Sequence, residues 1–145
     1  MEVRFLRGNN GRTCGWEATL PKRQKVPGPT MAAGPDLPHD LSTFVIEEAL
    51  GFEHGFWGCV AQGARFRSLG RKRTPQGKEV VVRHAAELDE AERRVNEVYF
   101  AWRRGEPTEV DDAIEEMLAR WRALDPDTGE LVLEWPNPRT SGRRA

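Results

Sequence analysis

The sequence is poor in the features that mark secreted, disulfide-bonded and membrane proteins. Only two of its 145 residues are cysteine, Cys14 and Cys59, too few for a disulfide scaffold in a chain of this size. No apolar run approaches the roughly 18 residues of a membrane-spanning helix. The first residues, 1–7, lack the long apolar core of a signal peptide. We therefore predict a cytoplasmic protein with reduced thiols and no membrane association.

The formal net charge is −1, so the chain as a whole has no attraction to nucleic acid or to anionic membranes. The sequence also lacks a phosphate-binding G-x-x-x-x-G-K-[ST] loop and a G-x-S-x-G nucleophile elbow. Its 38% hydrophobic and 31% charged residues are typical of a globular domain with its own core. We predict one domain at residues 1–138, followed by a disordered basic tail at residues 139–145.

The residue pattern predicts an α+β fold. Residues 2–7 and 14–20 alternate apolar and polar side chains on either side of an Asn-Asn-Gly turn at residues 9–11, which is typical of a β-hairpin. Residues 131–135 form a third strand that can pair with the hairpin. We therefore expect a three-stranded antiparallel sheet packed against about four helices.

Helical periodicity and turn residues predict helices at residues 36–50, 55–66, 84–104 and 108–124. Asp36 or Leu37 is expected to be the N-cap of the first helix. The short break at 105–107 makes the third and fourth helices an αα-hairpin. Residues 22–35 are predicted to be a connecting loop, with a short extended piece near Val26, and residues 68–78 an exposed loop.

One face of the first predicted helix carries the residues on which a catalytic hypothesis depends. At about 100° per residue, His39, Thr43 and Glu47 lie within a sector of roughly 80°, and Asp40 lies in the same sector. An imidazole beside carboxylates has the residue types of general acid–base catalysis or of a metal site. His39, Asp40 and Glu47 are thus the candidate catalytic residues, and hydrolysis by a metal-activated water is the corresponding chemistry.

A divalent metal is the cofactor that this hypothesis would need, with His39 and His54 as its candidate ligands. The spacing differs from the H-E-x-x-H of a zinc protease helix, because Thr43 stands four residues after His39. No other cofactor is implied.

The competing interpretation of the same helix is structural. Asp36 and Asp40 would complement the positive end of the helix macrodipole, His39 would be half exposed, and Glu47 would be a surface carboxylate. Glu48 falls within the apolar arc of the helix, so it either bends out to solvent or is buried and paired.

The order L-P-H-D-L, E-x-A-L-G and G-F-W-G-C-V-A-Q-G-A, which spans residues 37–66, resembles a family of small bacterial proteins with no known activity. The resembling segment is about a fifth of the chain. In those proteins a His stands at the position of Thr43. The resemblance therefore implies that a His-x-x-x-His pair has been lost here, which weakens the metal hypothesis for this chain.

Residues 65–78 carry six basic side chains and no acidic one, and Arg71, Lys72 and Arg73 are candidate contacts to nucleic acid or phosphate. The third and fourth predicted helices are acidic, so surfaces of opposite charge favour a protein partner or self-association. We favour a small protein-interaction or regulatory protein. The alternatives are a metal-dependent hydrolase-like or metal-binding protein and a nucleic-acid-binding protein.

Overall fold

A computed structural model describes residues 1–66 and 75–136. The predicted hairpin is present: β1 (Glu2–Gly8) pairs antiparallel with β2 (Thr13–Thr19), and Phe5 stands opposite Trp16. The turn residues 9–11 all have positive φ, between 51° and 80°, a conformation that Asn and Gly tolerate better than other residues. Local turn chemistry therefore sets the register of the hairpin.

The sheet is larger than the three strands predicted. β5 (Glu130–Glu134) pairs antiparallel with β1, as expected. Two short strands within the predicted loop, β3 (Lys25–Pro27) and β4 (Met31–Ala32), also pair with β2. They use backbone groups of β2 that would otherwise be left unpaired at a sheet edge. The short extended piece predicted near Val26 is present as β3, but its pairing with β2 and the whole of β4 were not predicted, because strands this short have no alternation to detect.

Five helices are present in the described part of the chain, so the α+β class is confirmed with one helix more than predicted. They are α1 (His39–Leu50), α2 (Phe56–Ala61), α3 (Pro75–Arg83), α4 (Ala85–Arg103) and α5 (Asp111–Arg122). The unexpected helix is α3, which begins within the predicted exposed loop. Its apolar residues apart from Pro75 are three consecutive valines, 80–82, so the sequence lacks the i, i+3, i+4 spacing that predicts a helix. Residues 68–74 of that loop and the predicted tail lie outside the described residues.

The start of α1 differs from the prediction. Its N-cap is Pro38, and no side chain caps it, whereas Asp36 or Leu37 was expected. The segment is held in place by side chains from farther along the chain: the hydroxyl of Tyr99 donates to the Leu37 carbonyl at 2.8 Å. This contact across 62 residues fixes the segment before α1, although a hydroxyl that donates to a carbonyl does not cap the free N–H groups of the helix.

The core lies between the inner face of the sheet and α1. Phe5 on β1 meets Phe44 of α1 and Trp57 of α2 edge to face, with ring centroids 5.9 and 5.7 Å apart. The two helices predicted to form an αα-hairpin, α4 and α5, both pack against α1. Because neighbours surround it, α1 buries seven consecutive residues, 41–47. Its polar stripe therefore faces other elements of the fold over much of its length.

Within residues 1–66 and 75–136, no helix has both the length and the apolar character needed to cross a membrane.

Candidate functional site

The predicted polar stripe of α1 lines a cleft of about 460 Å³, referred to below as the α1–α4 cleft. The residues lining it are His39, Asp40, Thr43 and Glu47 of α1, Phe56 of α2, Phe66, and Leu88, Asp89, Glu92, Val95 and Asn96 of α4. The structure thus brings the three candidate catalytic residues, His39, Asp40 and Glu47, to one concave surface. A volume of this size is typical of small-ligand sites.

Glu47 forms the buried end of the cleft, with 1% of its surface exposed. Its Oε2 accepts a hydrogen bond from the backbone N–H of Phe56 at 2.8 Å, and its Oε1 accepts one from Trp57 at 3.1 Å. The carboxylate therefore satisfies the first free N–H groups of α2, which have no partner within that helix. The structural interpretation of Glu47 as a surface carboxylate is wrong, because α2 and α4 cover it.

Burial raises the pKa of Glu47 to about 7, and the nearby carboxylate of Glu87 acts in the same direction, while the two backbone hydrogen bonds oppose the shift. Removal from water disfavours the charged form of an acid. Glu47 is consequently a carboxyl group that can gain or lose a proton near neutral pH. Glu48, which falls within the predicted apolar arc of this helix, is only half-buried.

His39 and Asp40 form the outer end of the cleft. Nδ1 of His39 lies 3.6 Å from Oδ1 of Asp40, and the side chain of His39 is 63% exposed. The other oxygen of Asp40 accepts a hydrogen bond from the indole N–H of Trp16 at 3.0 Å. The carboxylate of Asp40 raises the pKa of His39, and Asn96 and Glu92 contribute in the same direction. Asp40 thus links the sheet to the mouth of the cleft.

Thr43 lies between these two ends. Its hydroxyl donates to the backbone carbonyl of His39 at 3.0 Å, a bond within the helix that Ser and Thr often make. The Thr43 side chain thus hydrogen-bonds to its own helix.

The charge of the cleft is predominantly negative. Four carboxyl groups line it, those of Asp40, Glu47, Asp89 and Glu92, against the single imidazole of His39. Among the described residues, no Lys or Arg lines it.

Apolar side chains line the same cleft beside the acidic ones. The rings of Phe56 and Phe66 stack with centroids 5.0 Å apart, and Leu88 and Val95 continue that surface. Aromatic and aliphatic side chains with a few convergent polar groups are the usual composition of a ligand site. The cleft therefore combines carboxyl groups with an apolar surface.

The two candidate metal ligands are not brought together. His54 lines a different cleft, beside Trp135 and the end of α2, whereas His39 lines the α1–α4 cleft. The ring of His54 stacks on that of His84 at 3.7 Å, and its Nδ1 lies 3.5 Å from Oε1 of Glu87. In the part of the chain that the structure describes, no group of three or more His, Cys, Asp or Glu side chains could hold a metal ion.

The candidate phosphate contacts Arg71, Lys72 and Arg73 lie outside the described residues. At the edges of the same basic segment, Lys78 is exposed on α3. Arg65 is buried and donates to the carbonyl of Ala64 at 2.8 Å.

The α4 side of the cleft was missed by the sequence interpretation. Leu88 and Val95 belong to the apolar stripe that predicted this helix, but Asp89 and Glu92 were treated only as part of an acidic surface, and Asn96 was not considered. Their spacing of three and four residues places them along one edge of that stripe. This spacing is visible in the sequence, but only the packing of α4 against α1 shows that the three side chains line a cleft.

No protein-family model matches this chain, and neither a curated protein nor a solved structure is significantly similar to it. The functional argument therefore depends on the geometry and charge of the cleft.

Proposed function

We propose that this chain is a small binding protein whose α1–α4 cleft recognises a cationic group on an apolar stem. That chemistry is shared by a small amine and by a Lys or Arg side chain of a partner protein. The observation that supports it is the pairing of four carboxyl groups with the stacked rings of Phe56 and Phe66 in one cleft. The sequence favoured a protein-interaction or regulatory protein, and this proposal adds the chemistry of the group that such a protein would bind. A cytoplasmic location stays a prediction.

The acidic residues of α4 that line the cleft are free to accept such a cation. Arg93 on the same helix pairs with Glu90 and Glu97. Within the described residues, Asp89 and Glu92 have no basic partner within 4.0 Å. A hydrogen bond from a charged donor to a carboxylate contributes about 1.5–3 kcal/mol, so one ammonium group contacting these residues would bind measurably.

The protonation states of the cleft make the expected affinity depend on pH. A bound cation favours the ionised form of Glu47, whose pKa is about 7, and the neutral form of His39. The protein must therefore release protons when it binds the cation at mildly acidic pH. Affinity should rise between about pH 6 and about pH 8.

Titration of ¹⁵N-labelled protein with phenethylamine, followed by amide chemical shifts, tests the proposal. We expect saturable shifts at residues of α1 and α4 that line the cleft. The matched ligand is 2-phenylethanol, which has the same stem without the charge and should bind several times more weakly. Equal binding of the alcohol would show that the carboxyl groups are not used, and shifts elsewhere on the molecule would reject the cleft as the site.

Substitution of one cleft carboxylate provides the protein-side control. Glu92→Gln should weaken phenethylamine binding, whereas Glu116→Gln, an exposed residue of α5 with the same loss of charge, should not. Equal weakening by both variants would indicate a general charge effect. The peptide Ac-Phe-Lys-Phe-amide distinguishes a small amine from a side chain of a partner protein as the natural ligand. If the peptide binds more tightly than phenethylamine, the cleft is assigned to a protein partner.

Catalysis is the second candidate, and one observation favours it: a carboxyl group with a pKa of about 7 shares a cleft with the His39–Asp40 pair. An acid with a pKa near neutrality is suited to general acid–base chemistry. The metal-dependent form of this candidate is tested by elemental analysis of protein purified without chelator. Near-stoichiometric zinc, manganese or iron that is lost in His39→Ala would support it, and metal-free protein would leave only metal-independent chemistry.

A further inference from the structure

A second cleft of about 520 Å³ lies where the β1–β2 turn meets the C-terminal end of α5. Three arginines from three different elements line it: Arg7 near the end of β1, Arg12 in the turn, and Arg122 at the end of α5. Residues 33–35 form another part of its wall. Within the described residues, no acidic side chain lines it. This arginine cleft is therefore opposite in charge to the α1–α4 cleft and shares no lining residue with it.

Arg7 is held in place by neutral groups. Its Nη1 donates to the carbonyls of Leu124 at 2.7 Å and Arg122 at 3.3 Å, and its guanidinium lies 5.9 Å from the ring centroid of Trp121. On another side, a Cβ at Gly11 would approach Nη2 to 2.9 Å. Carbonyl groups fix the position of this cation without neutralising it. Its Nε is buried and, among the described residues, has no hydrogen-bond partner.

Several other arginines of the described residues pair with carboxylates. Arg104 pairs with Glu106, and Arg103 pairs with Asp36. Within residues 1–66 and 75–136, none of the three cleft arginines has a carboxylate oxygen within 4.0 Å. The resulting repulsion among three cations is relieved when an anion binds between them.

The carboxylate of Asp125, on which the charge of Arg7 acts, is already used elsewhere. Hydrogen bonds from the backbone N–H groups of Asp127 and Thr128 lower the pKa of Asp125, with a smaller contribution from the charge of Arg7. Oδ1 of Asp125 accepts those bonds at 2.9 and 3.0 Å. Asp125 thus stabilises its own turn. Its electrostatic interaction with Arg7 is a minor one and involves no direct contact.

We propose that the arginine cleft binds the phosphate group of a small phosphate ester. Planar guanidinium groups match the oxygens of a phosphate dianion. Arg7 and Arg122 each keep N–H groups besides those that donate to backbone carbonyls. The volume admits a phosphate with a small organic group attached. Near residues 33–35 the wall is open, since a Cβ at Gly34 would have no heavy atom within 4 Å. The site is independent of the proposed cation site and adds a second ligand class to this protein.

The test is a titration of the full chain with phenyl phosphate at constant ionic strength, followed by amide chemical shifts. We expect saturable shifts at Gly11, Gly34 and Arg122, with a dissociation constant of about 1 mM or lower. Phenol, which lacks the phosphate, should leave those amides unchanged. Shifts confined to other parts of the chain, or equal shifts with phenol, would overturn the proposal.

Two arginine variants and one matched control complete the experiment. Arg12→Gln and Arg122→Gln should each reduce the affinity for phenyl phosphate by about tenfold. Arg120→Gln removes the same charge from an exposed position of the same helix and should leave the affinity unchanged. Equal loss in all three variants would show a general charge effect and reject the site, as would undiminished binding in Arg12→Gln and Arg122→Gln. Arg7 is left intact because its hydrogen bonds also support the fold.

Discussion

Glu47 and Gly55 are in contact so close that a Cβ atom at Gly55 would stand 2.4 Å from Oε2 of Glu47. Gly55 is the N-cap of α2, and the next two N–H groups, those of Phe56 and Trp57, donate to the same carboxylate. Absence of a side chain at Gly55 allows the carboxylate to approach them. One buried residue of the cleft therefore joins α1 to α2, and the site and the fold depend on the same contact.

Gly55→Ala should destabilise the protein by about 2 kcal/mol, because the added methyl displaces the carboxylate and leaves buried N–H groups without an acceptor. Urea unfolding followed by tryptophan fluorescence measures the change. Gly34→Ala is the matched control, since its Cβ would meet no heavy atom within 4 Å, and it should change stability by less than about 0.5 kcal/mol. Equal unfolding midpoints for the two variants would contradict the proposed contact.

Glu47→Gln should remove a pH dependence of stability. Burial raises the pKa of Glu47 from its ordinary 4.5 to about 7 in the folded protein, so the folded state holds this proton more tightly than the unfolded state. The corresponding stability is fully present below about pH 4.5 and is lost as the pH rises through about 7, on the order of 3 kcal/mol in total.

The measurement is urea unfolding of both proteins at several pH values between about 4 and 8. Wild type should lose stability relative to Glu47→Gln as the pH rises, with the difference constant outside that window. A difference that is independent of pH would show that Glu47 has an ordinary pKa in the folded protein, and one that changes in the opposite direction would show a lowered pKa.

Asp40→Asn should lower the pKa of His39, because the carboxylate of Asp40 is the main cause that raises it. Asparagine keeps an oxygen that can accept the hydrogen bond from Trp16, so the link to the sheet should persist. Titration of the imidazole proton signals by NMR gives the pKa directly. The His84 signal in the same spectra is an internal reference that should not move, and Glu90→Gln, an exposed change on α4, is the control variant. An unchanged His39 titration would refute the coupling.

Cys14 and Cys59 should be unreactive in the native protein. They are 4% and 0% exposed, and burial raises the pKa of their thiols to about 12 and about 11 respectively. Since the thiolate is the reactive form, Ellman's reagent at about pH 8 should label neither thiol until urea unfolds the protein, when both should react. Rapid labelling of either thiol in native protein would show that it is accessible.

The features that sequence reasoning predicted well depend on neighbours in the chain. Strand alternation on either side of an Asn-Asn-Gly turn is enough to form the hairpin of β1 and β2, because turn conformation and register are local properties. Likewise, the spacing of His39, Thr43 and Glu47 places them along one side of any helix that contains them. The candidate site therefore came from helix geometry alone.

The features that were missed depend on contacts between distant parts of the chain. β3 and β4 have too few residues to carry a pattern, and they exist because β2 offers unpaired backbone groups beside them. The start of α1 depends in part on the hydroxyl of Tyr99, which belongs to α4. The convergence of Arg7, Arg12 and Arg122 likewise has no sequence signature, because the three come from elements that meet only in the folded protein.

The sequence by itself determined the α+β class, the hairpin and the side of α1 on which the polar residues lie, because each follows from residue periods of two or 3.6 and from turn chemistry. Only the tertiary structure decided that Glu47 is buried against α2, that α4 supplies the opposite wall of its cleft, and that His39 and His54 face different clefts. Burial, charge and pKa are properties of what surrounds a residue. In a chain of 145 residues, those surroundings are assembled largely from residues that are distant in sequence.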